Sequence, residues 1–246
     1  MKTQVCIVGG GPAGMMLGFL LARGGVEAVV LEKHGDFLRD FRGDTIHPST
    51  LEVMGELGLL DAFLELPHHK IERFIAQFGE RRLAIADLTH LPVRCPYIAM
   101  MPQWDFLDFL ADHGKALPGF TLLMHGEAHG LIEENGRVVG VRARVDGEER
   151  EIRADLVVGA DGRHSMVREK IGLPVKEIGA PMDVMCSSFR IGRATNRPSW
   201  AGSTAAACSS YSTAATTGNV PMSFPRARPR RYAPAESRRC GLSSCV

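Results

Sequence analysis

None of the six cysteines in the 246-residue sequence forms a C-x-x-C pair, so neither a zinc site nor a thiol-redox motif is indicated. A dominant charge is also missing. The formal net charge of +1 argues for neither a nucleic-acid partner nor a membrane surface. Residues 5–22 carry no charge at all, which raises the question of a signal peptide or a membrane span. The middle of that stretch is Gly-Gly-Gly-Pro-Ala-Gly, a poor helix centre. Its 18 residues are at the short end of a span. Only Lys2 precedes it, and no small-residue cleavage pattern comes before the next strand-like run. Both readings are therefore set aside. Without an export signal, the cysteines point to a reducing, cytoplasmic compartment.

The hydrophobic content of 45% and charged content of 23% suit a globular chain of one large domain or two small ones. The neutral average hides a split. Residues 186–246 hold nine arginines, no lysine and one acid, Glu236. That segment is about +8, which leaves residues 1–185 at about −7. It is rich in Ser, Ala, Thr, Arg and Pro, and no apolar run in it recurs at a period of 2 or 3.6. The expectation is a disordered tail. Its scattered Cys186, Trp200, Cys208, Cys240 and Cys245 also fit the product of a reading-frame shift near Met185.

The richest stretch is residues 5–32. Val5-Cys6-Ile7-Val8 runs into Gly9-Gly10-Gly11-Pro12-Ala13-Gly14; a helical pattern follows, then Ala28-Val29-Val30-Leu31 and Glu32. This predicts strand, tight turn, helix, strand. Gly9, Gly11 and Gly14 fill the spacing G-x-G-x-x-G, which permits a sharp turn, close approach of a pyrophosphate, and close helix–strand packing. Pro12 suits the first helical turn. The N–H groups and dipole of that turn would hold a diphosphate. Glu32 lies 18 positions after Gly14, near the spacing of about 20 expected for a carboxylate on a ribose diol.

Further along, residues 33–45 read as a loop and 48–57 as a helix. Residues 72–78 and 82–88 read as strands, as do 97–101. Residues 104–117 carry an apolar stripe of Phe106, Leu107, Leu110 and Leu117 opposite Asp105, Asp108 and Asp112, which predicts an amphipathic helix. Residues 120–124 are a strand candidate. Asn135-Gly136 and Asp146-Gly147 mark the turns of a three-stranded meander over 126–153. A buried strand over 155–159 then ends in Ala160-Asp161-Gly162, followed by a helix over 163–171.

The run Val157-Val158-Gly159-Ala160-Asp161-Gly162 repeats the opening logic of strand, glycine turn and helix. Taken with Gly9 to Gly14, Glu32, the loop Phe41-Arg42-Gly43-Asp44 and Gln103, it resembles the group-A FAD-dependent monooxygenases, the 4-hydroxybenzoate hydroxylase-like aromatic hydroxylases. The resemblance covers residues 1–184. It implies an α/β fold: a Rossmann-like FAD-binding domain of the glutathione-reductase type, with inserted antiparallel β strands of a partial substrate domain. The expected division is 1–70 and 102–184 for the FAD-binding domain, 71–101 for the partial substrate-domain sheet, and 185–246 for the tail.

The resemblance also implies roles. Gly9, Gly11 and Gly14 would lie under the FAD diphosphate, with Pro12 and Ala13 in the same turn. Glu32 would meet the adenosine ribose, and Lys33 follows it in the cofactor-binding set. Arg42 would contact FAD near its phosphates, Gln103 the ribityl or phosphate region, and Asp161 the diphosphate and ribose. No side chain is assigned as a catalytic acid or base, and no metal is expected. NADH or NADPH would reduce FAD; the reduced flavin would take up O₂ as a C4a-hydroperoxide and hydroxylate a small aromatic or apolar molecule. The family's third FAD motif, a Gly-Asp after the Asp161 stretch, is missing: no Gly-Asp follows Asp183. Two other readings stay open, a non-catalytic FAD-binding remnant and an NAD-dependent dehydrogenase. Neither a nucleic-acid partner nor a membrane span is expected.

Overall fold

The computed structural model describes residues 1–38, 44–78, 81–176, 178, 182–190, 200–204, 207–214 and 217–225. In chain order the elements are β1 (Lys2–Val8), α1 (Pro12–Arg23), β2 (Ala28–Leu31), β3 (Thr45–Ile46), α2 (Pro48–Glu56), α3 (Leu60–Leu64) and β4 (His69–Ile71). Then come β5 (Arg73–Phe78), β6 (Arg81–Asp87), β7 (Ile98–Met100), α4 (Gln103–Lys115), β8 (Phe120–Leu123), β9 (Gly126–Glu134) and β10 (Arg137–Val145). The last are β11 (Glu148–Gly159), α5 (Met166–Lys170), β12 (Met182–Arg190), β13 (Trp200–Thr204), β14 (Ala207–Ala214) and β15 (Thr217–Pro225).

The main sheet has the order β8-β2-β1-β11-β10-β9. Its β8, β2, β1 and β11 run parallel, and β9 and β10 continue antiparallel. Parallel strands covered on both faces need apolar runs rather than alternation, and β2 is buried at all four positions. One face packs on α1 and α4, where Ile7, Met15, Val30 and Leu110 are fully buried. Phe63 of α3 meets Phe106 and Phe109 of α4 edge-on, with ring centroids 5.7 and 5.2 Å apart. The other face holds Cys6, Val29, Val141 and Ile152 with Val167 of α5. Burial pushes the Cys6 thiol up to about 12, so it stays protonated and serves as a small apolar side chain.

The sequence predicts two strands around 150–159, but the structure has one. β11 pairs antiparallel with β10 from Glu148 to Arg153, then parallel with β1 from Arg153 to Gly159. No Gly or Pro stands between Arg153 and Asp155 to break it. Both predicted turns have the expected backbone: φ is +53° and +75° at Asn135-Gly136, and +51° and +85° at Asp146-Gly147. The helix predicted over 163–171 is shorter and begins after Ser165.

A second sheet has the order β12-β15-β14-β13-β5-β6, and a third the order β3-β7-β4. Among the described residues, β12 begins just before residue 185, and β13, β14 and β15 lie beyond it, in the stretch where the composition led to the expectation of a disordered tail. Strand pairing is made by backbone groups, and a Ser-, Thr- and Ala-rich run shows no apolar period to announce it. Among the described residues, no helix is long and apolar enough to cross a membrane.

Candidate functional site

The site begins where β1 ends. The Gly9 N–H donates to the Leu31 carbonyl at 2.9 Å, and the Ala160 N–H donates to the Val8 carbonyl at 2.7 Å. These bonds hold the first glycine turn against β2 on one side and against the Ala160-Asp161-Gly162 turn on the other. Gly9 has φ +109°, and a Cβ there would strike the Ala160 carbonyl. A Cβ on Gly14 would strike the Gly9 carbonyl and come within 3.3 Å of Ile7 Cγ2. Gly9 is thus small because a second turn sits on it, and Gly14 because helix and strand pack closely.

Gly11 differs. It is the N-cap of α1, and a Cβ there would meet nothing within 4 Å. Its surroundings are open space, the condition for close approach of a ligand to the backbone. No side chain caps α1, Pro12 stands at its start, and its first turn has no acid. The N-terminal N–H groups and the helix dipole therefore favour an anion there.

Glu32 follows β2 and is 9% exposed. Its Oε2 accepts from the Gly10 N–H at 3.1 Å, and its Oε1 accepts from the His34 N–H at 3.0 Å. Its carboxylate thus spans the glycine turn and the segment after β2. A Cβ on Gly10 would come within 2.7 Å of Glu32 Cβ, so the unmatched middle glycine of Gly9-Gly10-Gly11 also has a steric reason.

One cavity of about 610 Å³ collects most of these groups. Gly9, Gly11, Glu32, Lys33 and Asp161 all line it. The two glycine turns, about 150 positions apart in the chain, therefore share a single cleft. Pro12, Ala13 and Gly14 belong to the first turn of α1 behind this wall. Gln103 is half-buried, opens α4 and is not part of the wall. Arg42 lies outside the described residues.

Asp161 is placed on the wall, with its carboxylate turned to protein donors. Ser165 Oγ donates to Oδ1 at 2.5 Å, and the Val167 N–H donates to Oδ2 at 3.2 Å. The sequence reading missed His34, Gly126, Glu127, His164 and Met166, which also line the cavity. Gly126 reaches it because its N–H donates to the Glu32 carbonyl at 2.8 Å, a contact across 94 positions that no local pattern announces. A smaller hollow of about 400 Å³ shares Lys33 and Glu127 as wall and adds His125, Arg144 and Asp146. Among the described residues, no group of three or more His, Cys, Asp or Glu could hold a metal ion.

The donor set fits a dinucleotide. It offers an uncapped helix N-terminus, a glycine with free space over it, and a carboxylate lining the same cleft.

Comparison with known proteins agrees with this geometry. The FAD binding domain family matches residues 2–238. A 6-methylpretetramide 4-monooxygenase of Streptomyces rimosus is 35% identical over 176 residues, 72% of this chain and 42% of that protein. The uncharacterized aromatic compound monooxygenase YhjG of Bacillus subtilis is 33% identical over 170 residues, 69% of this chain and 33% of that protein. The chain thus spans well under half the length of these curated relatives. The crystal structure of PqsL from P. aeruginosa in complex with 2-aminobenzoylacetate superposes with a TM-score of 0.79 at 21% identity, covering 92% of this chain and 61% of that one. At that identity the likeness speaks for the fold. The chain belongs to the FAD binding domain family.

Proposed function

We propose that this chain is the FAD-holding part of an NAD(P)H-dependent monooxygenase that hydroxylates a small aromatic or apolar molecule. The observation that carries the proposal is the shared cavity, which puts Gly11, Glu32 and Asp161 on one wall system. Bound FAD would supply the redox chemistry, accepting electrons from the pyridine nucleotide and activating O₂. The protein's part is binding and orientation. Gly9, Gly11 and Gly14, with Pro12 and Ala13, form the turn whose N–H groups would face the diphosphate. Glu32 would accept from the ribose hydroxyls, and Lys33 beside it would offer a cation. Arg42 and Gln103 would act further along the cofactor, near the phosphates and the ribityl chain.

Residues 1–70 and 102–184 are read as the FAD-binding domain, of the glutathione-reductase type, and 71–101 as part of a substrate-covering sheet. The antiparallel β9 and β10 beside β11 favour this reading over an NAD-dependent dehydrogenase, which would continue with further parallel βαβ units. The names of the relatives, one of them an aromatic compound monooxygenase, support the aromatic substrate class.

Equilibrium titration of the purified chain with FAD and, separately, with NAD tests the proposal. Saturable quenching of flavin fluorescence with FAD, and weak or no binding of NAD, is the expected outcome. Binding of NAD without uptake of FAD would refute it.

A further inference from the structure

We propose that β6, the free edge of the second sheet, is a self-association surface on which a second copy of this chain pairs antiparallel about a twofold axis at Ala84. β6 stands last in the order β12-β15-β14-β13-β5-β6 and has β5 as its one neighbour among the described residues. An edge strand offers a row of backbone N–H and C=O groups to another strand unless something blocks it. Between Arg81 and Asp87 the chain has neither proline nor lysine. The guard that β6 does carry is a bulge: its register passes from Ile75↔Ala84 to Phe74↔Ala86, which leaves Ile85 without a partner in β5. The residue so set free is apolar. Leu83 is 50% and Ile85 59% exposed, and Ala84 between them is exposed too. Consecutive exposed apolar residues on a strand edge make a seat for another chain.

The occupant is a second copy because β6 complements itself. Its sequence is Arg81-Arg82-Leu83-Ala84-Ile85-Ala86-Asp87. A twofold axis at Ala84 sets each Leu83 position opposite the other copy's Ile85, and each Arg81 position opposite the other copy's Asp87. Apolar pairs thus fall in the middle and opposite charges at both ends. One patch serves both copies, so the pairing closes at two and leaves no β6 edge for a third. Asp87 has room for the added arginine. Its Oδ2 accepts from Arg73 Nε at 2.9 Å, and its Oδ1 accepts from the Thr89 N–H at 3.0 Å and the Thr89 hydroxyl at 2.6 Å. The side chain is still 33% exposed, and a carboxylate offers about four acceptor positions. A single strand edge buries less than the roughly 1,600 Å² of a standard interface, so the dimer is expected to come apart at about micromolar concentration.

The test is analytical ultracentrifugation of the full chain from about 1 to about 100 µM, with circular dichroism to confirm that each variant folds. The wild type is expected to pass from one copy to two over this range. Leu83→Lys and Ile85→Lys are expected to stay monomeric throughout. Arg81→Asp sets acid against acid and Asp87→Arg sets base against base, so each alone is expected to weaken the dimer about tenfold. Mixed in equal amounts, these two variants are complementary at both ends of the strand and are expected to recover the wild-type association as a heterodimer. A wild type that stays monomeric at about 100 µM leaves this edge to a different partner and overturns the proposal. Growth beyond a dimer, a dimer that survives Ile85→Lys, or a charge-swapped mixture that stays apart overturns it as well. Asp87→Arg also gives up the bonds to Arg73 and Thr89; should it fail to fold, Leu83→Lys and Ile85→Lys decide, and an unchanged dimer in either overturns the proposal.

Discussion

A methyl group added at Gly9 and one added at Gly11 would have opposite consequences. At Gly9 it would meet the Ala160 carbonyl, on a residue whose φ of +109° disfavours any side chain. Gly9→Ala is expected to cost about 2 kcal/mol or more of stability, read by urea unfolding. At Gly11 it would meet nothing within 4 Å and would project into free space. Gly11→Ala is expected to leave the unfolding midpoint unchanged and to weaken FAD binding at least tenfold, about 1.4 kcal/mol. A stability loss at Gly11, or unchanged FAD affinity, would count against the assignment. The G-x-G-x-x-G spacing marks both glycines without separating their jobs, because one job is set by Ala160, far along the chain. Glu32 is legible from spacing alone. The engagement of Asp161 with Ser165 and Val167 is not, since it depends on how the chain turns between them.

At the scale of single elements, α4 was legible from its stripe: Phe106, Leu107 and Leu110 are buried as the period requires. Its polar face carries a penalty that the sequence also shows. Burial pushes the Asp105 carboxyl up, and Asp108 adds to this. Burial likewise pushes Asp108 up, with Asp112 adding to it. A carboxyl raised in the fold contributes stability below its ordinary range and loses it as pH rises through the raised value. At neutral pH, then, the charged Asp108 is a burden. Asp108 is exposed and solvent screens its repulsion, so Asp108→Asn is expected to stabilise the chain only slightly at neutral pH. The gain should fade toward about pH 3, where Asp108 is protonated; urea unfolding at the two pH values checks this, and a gain that grows on acidification would contradict it. β11 was half legible. Its two halves were each predicted as strands, but its continuity was hidden because Ala154 neither breaks nor announces a strand. Ala154 pairs with Thr3, one place beyond the crossover at Arg153. Ala154→Pro is expected to cost about 3 kcal/mol or more, seen as a large drop in thermal midpoint; a drop within error would show that β11 does not bridge the two halves of its sheet.

For the molecule as a whole, the main sheet was readable because its strands are apolar runs punctuated by glycine turns. The second sheet was readable only at β5 and β6. Its other strands lie in the Ser-, Thr- and Ala-rich stretch, where backbone pairing leaves no period in the sequence. The third sheet joins β3, β7 and β4, short pieces separated by two helices and the β5–β6 hairpin, so pairing among them is a tertiary event. What organises the molecule toward function is the meeting of β1 and β11 at their C-terminal ends, which brings both glycine turns to one cleft. Amide hydrogen exchange with and without saturating FAD tests that meeting most directly. The prediction is simultaneous protection of the amides around Gly11 to Gly14 and around Asp161 to Gly162. Protection of only one of the two segments, or of neither while FAD is bound, would contradict it.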